Sequence, residues 1–181
     1  MPSQRPMKLS GSGNPFKQRP RDWLRQTAGA AAPSGGSALH EVKSVGATFC
    51  WPVRVYWEDT DAGGIVFYAN YLKFFERSRT EWLRSLGIEQ RRLKDSSGGM
   101  FVVSETSLRY LRPARLDDEL IVTASLLEAG RASMIIKQQV LLKSEQPDIL
   151  ICEGSIRIGW VDAVTMQLAR IPELILDRLK T

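Results

Sequence analysis

Apolar and polar residues alternate in several short stretches of the chain and follow a helical period in one long stretch. Between Trp51 and Trp57 every second residue is apolar, and Pro52 lies among them, which predicts a half-buried strand that starts or borders a sheet. Residues 70–86 contain neither Gly nor Pro and place their apolar residues on one stripe. They therefore predict an amphipathic helix of about four to five turns. Gly87 follows, at the position where many helices end.

The second half of the chain has the pattern of strands joined by short turns. Alternating apolar positions predict four strands, near residues 101–112, 118–128, 132–144 and 150–160. Residues 94–99 read as a loop, and Pro172 suits the first turn of a C-terminal helix over 173–180. One strand, one long helix and four further strands predict an α+β fold, an antiparallel sheet with the long helix on one face.

The first part of the chain differs in composition from the rest. Residues 1–47 hold five of the nine Pro and six of the fourteen Gly and show no sustained apolar period. We therefore expect a disordered basic tail over 1–47 and a single domain over 48–181. Residues 1–50 carry seven Lys or Arg and two Asp or Glu, so the chain's formal net charge of +5 lies in this tail. The basic composition accordingly predicts no nucleic-acid partner for the folded part.

Residue counts exclude several kinds of chemistry. The single histidine, His40, lies in the tail, so the predicted domain has no imidazole for a catalytic triad or a proton shuttle. Cys50 and Cys152 are far apart and show no metal-ligand spacing, so they read as reduced thiols, and Cys152 reads as a small buried residue. We expect no metal and no cofactor. No apolar run reaches about 18 residues, so we expect no transmembrane segment and a cytoplasmic location.

Asp61 is the first candidate for chemistry, because it lies in a glycine-rich turn just before the predicted long helix. The first N–H groups of a helix lack partners and carry partial positive charge. Gly63 and Gly64 would let a substrate approach the backbone closely. A carboxylate beside such donors can serve acyl transfer. Spacing alone favours a structural interpretation, in which Asp61 caps the helix or forms an Asx-turn.

Two segments of the chain resemble a known enzyme family. Residues 53–83 include Asp59-Thr-Asp-Ala-Gly-Gly64 followed by an aromatic-rich stretch, and residues 109–118 read Arg-Tyr-Leu-Arg-Pro-Ala-Arg-Leu-Asp-Asp. Both closely resemble the hot-dog acyl-CoA thioesterases of the 4-hydroxybenzoyl-CoA thioesterase family. Within that family the chain is most similar to the Tol-Pal-associated, YbgC-type branch. The resemblance covers roughly residues 49–179.

The resemblance implies a hot-dog fold, in which a curved antiparallel sheet wraps around one central helix. It implies a thioester hydrolase that splits an acyl-CoA into a free acid and CoA without a cofactor. Asp61 falls on the family's catalytic aspartate, which acts as nucleophile or as general base for water. Tyr68 falls on the residue whose backbone N–H stabilises the oxyanion. Sites shared between subunits imply a homodimer or a tetramer, and an association with the Tol-Pal cell-envelope system is expected.

The sequence leaves the roles of several polar residues undecided. Tyr68 stands where the YbgC-type branch commonly has His, so the His-assisted route is closed and the acyl preference is undecided. Glu76 on the central helix is a second candidate carboxylate, although an ion pair with Arg79 or Arg77 is favoured. Arg131 and Ser133, beside the turn at Gly130, either contact a CoA phosphate or form a solvated hairpin tip.

Three other functions compete with thioester hydrolysis. A hot-dog hydratase or dehydratase would need a His paired with an acid, which the predicted domain lacks. A non-catalytic module could bind acyl carrier protein or a membrane-associated complex, and acyl carrier protein could equally present the substrate. A third alternative gives the main role to the basic tail, on nucleic acid or anionic lipid, but its bases are widely spread.

Overall fold

The computed structural model describes residues 45–145 and 147–179. Five strands are present: β1 (Val45–Arg54), β2 (Gly99–Tyr110), β3 (Glu119–Ala129), β4 (Ser133–Leu142) and β5 (Ile149–Asp162). The helices are α1 (Asn70–Ser85), α2 (Gln90–Ser97) and α3 (Glu173–Leu179), with a short 3₁₀ turn at Trp57–Asp59. The expected tail lies outside the described residues up to position 44, and so does Lys180 at the end of the expected C-terminal helix.

The five strands form one antiparallel sheet in the order β1-β3-β4-β5-β2. β1 and β2 are therefore the two edge strands. Pro52 lies in β1 opposite Ile121 of β3, and an edge is where a strand tolerates a residue without an N–H donor. The α+β prediction, with four strands following the long helix, is confirmed.

Helix α1 packs on the sheet through its apolar stripe. Phe74 and Phe75 are completely buried, and Trp82 and Leu83 are nearly so. A polar contact also ties the helix to the sheet. The Ser78 hydroxyl donates to the carbonyl of Val122 in β3 (3.1 Å), and α1 lies mainly against β3 and β1.

A buried amide bridges α1 and β4. Gln138 is fully buried, and its Nε2 donates to the Phe75 carbonyl at 3.0 Å. Its Oε1 accepts from Arg79 Nη1 at 2.8 Å. Burial lowers the pKa of the Arg79 guanidinium, and the charge of Glu76 opposes that shift. Because both ends of the amide are satisfied, this polar group can sit beneath the helix without a large desolvation cost.

Two local predictions were wrong. The first strand was expected to extend to Trp57. It ends at Arg54 instead, and the Trp57 side chain is 78% exposed. The Asp59 carboxylate accepts from the Tyr56 N–H (3.0 Å) and turns the chain there. Residues 94–99, expected to be a loop, belong mostly to helix α2. None of the residues in α2 is buried, so the segment carries no apolar stripe to signal a helix.

Gly154 in β5 lies so close to the neighbouring strand β2 that a side chain would not fit. A Cβ at this position would lie 2.4 Å from the carbonyl oxygen of Ser107 in β2. That oxygen belongs to the backbone of the neighbouring strand, so relief would require the two strands to separate. Gly159, in the same strand, differs because its nearest atom would be the tip of the Leu168 side chain at 3.3 Å, and Leu168 is 73% exposed.

We expect Gly154→Ala to lower the free energy of unfolding by about 1–3 kcal/mol, since overpacking of that kind forces backbone shifts. Gly159→Ala is the matched control, and we expect it to be neutral or to stabilise by up to about 1 kcal/mol. Urea denaturation followed by circular dichroism measures both. Equal stabilities for the two variants would contradict the close approach of β2 and β5.

Candidate active site

The candidate carboxylate lies at the tip of a short hairpin between β1 and α1. The Phe67 N–H donates to the Asp59 carbonyl, and the Asp61 N–H donates to the Ile65 carbonyl, both at 2.9 Å. The Gly64 N–H closes the tip on the Asp61 carbonyl at 3.0 Å. We call residues 59–67 the hairpin. Its hydrogen bonds fix Asp61 relative to the chain that enters α1.

The Asp61 side chain is exposed and makes one hydrogen bond. Its Oδ1 accepts from the Gly63 N–H at 2.8 Å, which is the Asx-turn of the structural interpretation. Within the described residues, no partner is found for Oδ2. A Cβ on Gly63 would lie 3.0 Å from Oδ1, and Gly64 has a φ of 72°, so both glycines fit this turn. The turn therefore orients the carboxylate and leaves one oxygen available.

Tyr68 and Ala69 lie between the hairpin and the first residue of α1. Their neighbours are paired, since the Phe67 N–H donates to Asp59 and the Asn70 N–H donates to the Phe67 carbonyl at 2.8 Å. In the described part of the chain, the N–H groups of Tyr68 and Ala69 have no acceptor. They lie at the positive end of a 16-residue helix. Such donors suit an oxygen that gains negative charge.

Buried polar contacts hold this junction in place. Asn70 is 6% exposed, and its Nδ2 donates to the Asp59 carbonyl at 3.0 Å. The Val66 N–H donates to the Ala114 carbonyl at 2.9 Å, which joins the hairpin to the segment before β3. Asn70 could not be identified from the sequence, because an Asn at the start of a helix is common for reasons of capping alone.

Arg131 and Ser133 lie elsewhere in the chain. They flank the β3–β4 turn, where the Arg131 carbonyl accepts from Ile171 and the Ser133 carbonyl from Gly130. The hairpin adjoins the residues just before β3, whereas this turn follows the other end of that strand. At about 3.4 Å per residue, the two ends of β3 are roughly 34 Å apart. One chain does not bring these residues to Asp61, and their contact with CoA stays a prediction.

Glu76 lies two turns into α1, beside a cleft of about 180 Å³ between the helix and β2. Its carboxylate accepts from the Thr80 hydroxyl at 2.7 Å. The expected ion pair with Arg79 or Arg77 is not found among the described residues, because Arg79 turns inward to Gln138. Apolar side chains also line the cleft, from Leu83, Phe101, Ile136 and Ile158.

The two thiols occupy opposite environments. Cys152 is completely buried, as expected for a small residue of the core, and Cys50 is exposed. Burial raises the pKa of the Cys152 thiol to about 12, with a smaller contribution from the Glu153 charge. Cys152 is consequently a neutral thiol at physiological pH and a poor nucleophile.

Within residues 45–145 and 147–179, no group of three or more His, Cys, Asp or Glu side chains could hold a metal ion. No helix in those ranges combines the length and the apolar character needed to cross a membrane.

Known proteins are similar to this chain over most of the described residues. A sequence model of the thioesterase-like superfamily matches residues 55–179. The acyl-CoA thioesterase YbgC of Haemophilus influenzae is 37% identical over 125 residues, which cover 69% of this chain and 89% of the relative. The acyl-CoA thioester hydrolase YbgC of an Escherichia coli strain is 36% identical over 132 residues, covering 73% and 96%.

A solved structure agrees with the fold. The crystal structure of a 4-hydroxybenzoyl-CoA thioesterase mutant, complexed with 4-hydroxybenzoyl-CoA, superposes with a TM-score of 0.68. The superposition covers 73% of this chain and 98% of that one, at 17% sequence identity. At that identity the likeness concerns the fold, and it confirms the hot-dog arrangement.

The thiol environments predict selective alkylation. With iodoacetamide at pH 8, we expect the native protein to take up one label, on Cys50. Cys152 should react only after unfolding, because its thiolate is scarce and buried. Mass spectrometry of tryptic peptides measures both positions, with urea-unfolded protein as the fully labelled control. Fast labelling of Cys152 in the native protein would contradict its burial.

Proposed function

Because the chain belongs to the thioesterase-like superfamily, we propose that it hydrolyses acyl-CoA thioesters with Asp61 and the N–H groups at Tyr68 and Ala69. The chain is a thioester hydrolase, as its relatives at 36–37% identity are. The proposal assigns the catalytic roles to these residues. The observation that carries it lies within the described residues. There the N–H groups of Tyr68 and Ala69 have no acceptor, and they adjoin a hairpin whose exposed Asp61 carboxylate has one oxygen without a partner.

In the proposed reaction the thioester carbonyl oxygen accepts from the N–H groups of Tyr68 and Ala69. Asp61 either attacks the carbonyl carbon or removes a proton from a water molecule that attacks it. A C–O bond forms, the C–S bond breaks, and the CoA sulfur leaves as a thiolate that takes up a proton. If Asp61 attacks, water then cleaves the resulting anhydride and restores the carboxylate. The helix dipole and the N–H groups stabilise the negative oxygen of the intermediate.

The proposed hydrolysis requires no imidazole. Asp61 can supply the carboxylate, and the donors are backbone groups, so replacement of the branch's usual His by Tyr68 leaves them in place. The Tyr68 side chain is 62% exposed and packs against Phe67, with ring centroids 4.5 Å apart. Its ring is thus available to line the acyl-binding space. We propose that Tyr68 influences which acyl groups fit.

The substrate is proposed to be an acyl-CoA, with acyl carrier protein as the other possible donor of the acyl group. We propose a homodimer or a tetramer as the active form. The 12-residue edge strand β2 supports this, because an exposed edge carries unpaired backbone groups that a second copy can pair with. Arg131 and Ser133 would then reach a CoA phosphate only from the partner subunit. A cytoplasmic location and association with the Tol-Pal system complete the proposal and rest on resemblance to the YbgC-type branch.

The central test is Asp61→Asn, which keeps the size of the side chain and its Asx-turn but removes the base and nucleophile. We expect turnover of acyl-CoA to fall about 10²–10⁴-fold, the usual scale for a positioned acid or base. Release of free thiol from acyl-CoA measures it. The oligomeric state and the melting temperature should stay unchanged.

Asp162→Asn is the matched control for that variant. Asp162 also forms an Asx-turn, in which its Oδ1 accepts from the N–H groups of Val164 (3.0 Å) and Thr165 (2.7 Å), far along the chain from the hairpin. We expect its turnover to stay within about twofold of the wild type. If the two variants behave alike, Asp61 has only the structural role, and Glu76 becomes the next candidate.

Tyr68→Phe distinguishes a role of the backbone N–H from a role of the phenol hydroxyl. The variant keeps the N–H and the ring, so we expect turnover to change less than about threefold, with a shift in preference across an acyl-CoA panel. Loss of one oxyanion donor typically costs about 2.7–4 kcal/mol of transition-state stabilisation. A loss of that size in a folded Tyr68→Phe protein would mean that the hydroxyl takes part in the chemistry.

A further inference from the structure

The backbone at Tyr68, whose N–H is proposed to donate to the oxyanion, is itself held by a tyrosine from another element. Tyr110 is the last residue of β2, and its hydroxyl donates to the backbone carbonyl of Tyr68 at 3.0 Å. The two residues are 42 positions apart, so this bond joins the end of an edge strand to the start of α1. No other side chain within the described residues hydrogen-bonds to the Tyr68 carbonyl.

The tyrosine is held in turn by a buried neighbour. The Tyr110 and Tyr71 rings pack with centroids 5.6 Å apart. Tyr71 is 3% exposed, and its hydroxyl accepts from the Ala114 N–H at 3.1 Å. Tyr71 lies in the first turn of α1, so the ring pair links that turn to the strand end. The phenol of Tyr110 is therefore directed at the helix start by packing, although the residue itself is 46% exposed.

The bond acts on one peptide group. The Tyr68 carbonyl and the Ala69 N–H belong to the same planar unit, so fixing the carbonyl fixes the orientation of that N–H. A hydrogen bond accepted by the carbonyl also polarises the unit and strengthens the N–H as a donor. The Ala69 N–H is one of the two unpaired donors of the candidate site.

We propose that Tyr110 is a positioning residue that orients and polarises the Tyr68–Ala69 peptide toward the thioester carbonyl. The proposal rests on the proposed function, because it needs the substrate carbonyl to bind at these N–H groups. Tyr110 itself does not touch the reacting atoms. It acts through the backbone, and its hydroxyl must stay protonated to donate. Burial raises the pKa of Tyr110, as do the nearby Cys152 and Tyr68, so the donor persists through neutral pH.

Tyr110→Phe keeps the ring contact with Tyr71 and removes the hydrogen bond. We expect kcat to fall about three- to tenfold, the range that one hydrogen bond supplies. KM should stay within about twofold and the melting temperature within a few degrees. Tyr56→Phe is the matched control, since it removes a phenol that is 61% exposed and not part of the ring pair. We expect its kcat to equal that of the wild type.

Infrared spectroscopy of a bound thioester distinguishes positioning from general destabilisation. A ¹³C-labelled acyl-CoA bound to the Asp61→Asn protein should show its carbonyl stretch at lower frequency than in water, because the N–H groups polarise it. Adding Tyr110→Phe should return the band partway toward the free value. If the band is shifted and Tyr110→Phe leaves it unchanged, the positioning role of Tyr110 is overturned. The binding of the carbonyl at the Tyr68 and Ala69 N–H groups is then still supported. A bound carbonyl that is unshifted in both proteins would overturn the proposed oxyanion site itself.

Discussion

N–H groups around the start of a helix lack partners inside the helix, and the hairpin of this protein pairs the ones on either side of Tyr68 and Ala69. The hairpin pairs the Phe67 N–H with Asp59, and its last carbonyl takes up the Asn70 N–H. Between them, Tyr68 and Ala69 keep their donors available. The buried Asn70 amide ties the start of the helix to the hairpin, so the Tyr68 and Ala69 N–H groups and the Asp61 carboxylate belong to one hydrogen-bonded unit. The proposed chemistry depends on that arrangement.

The sheet provides the support for this element. Helix α1 is anchored by Phe74 and Phe75 in the core and by the buried Gln138 amide, which receives Arg79 and donates to the helix backbone. The segment before β3 holds the hairpin through Ala114, and the end of β2 holds the helix start through Tyr110. Two segments of the chain, the end of β2 and the residues before β3, thus hold the residues from 59 to 71. The contacts that hold the hairpin and the helix start are also the ones that position the proposed donors.

Regular periodicity made most of the fold predictable from the sequence. The 70–86 stripe and the alternation in the last four strands identified the elements correctly, because burial of one face imposes those periods. Prediction failed for helix α2, which has no buried face and therefore no apolar periodicity. It also failed at the end of β1, where the Asp59 side chain turns the chain. Within the site, the Asx-turn of Asp61 follows from its local sequence. The bonds of Asn70 and Tyr110 join residues 11 and 42 positions apart, and no local pattern encodes them.

The most direct measurement is a crystal structure of the wild-type protein with an acyl-CoA analogue in which a ketone replaces the thioester. Such an analogue keeps the carbonyl oxygen and cannot be hydrolysed at the C–S position. We predict that this oxygen lies about 2.7–3.2 Å from the backbone nitrogen of Tyr68 or Ala69, the range of an ordinary hydrogen bond, with the Asp61 carboxylate facing the carbonyl carbon. A carbonyl bound away from the start of α1, with Asp61 directed to solvent, would contradict it.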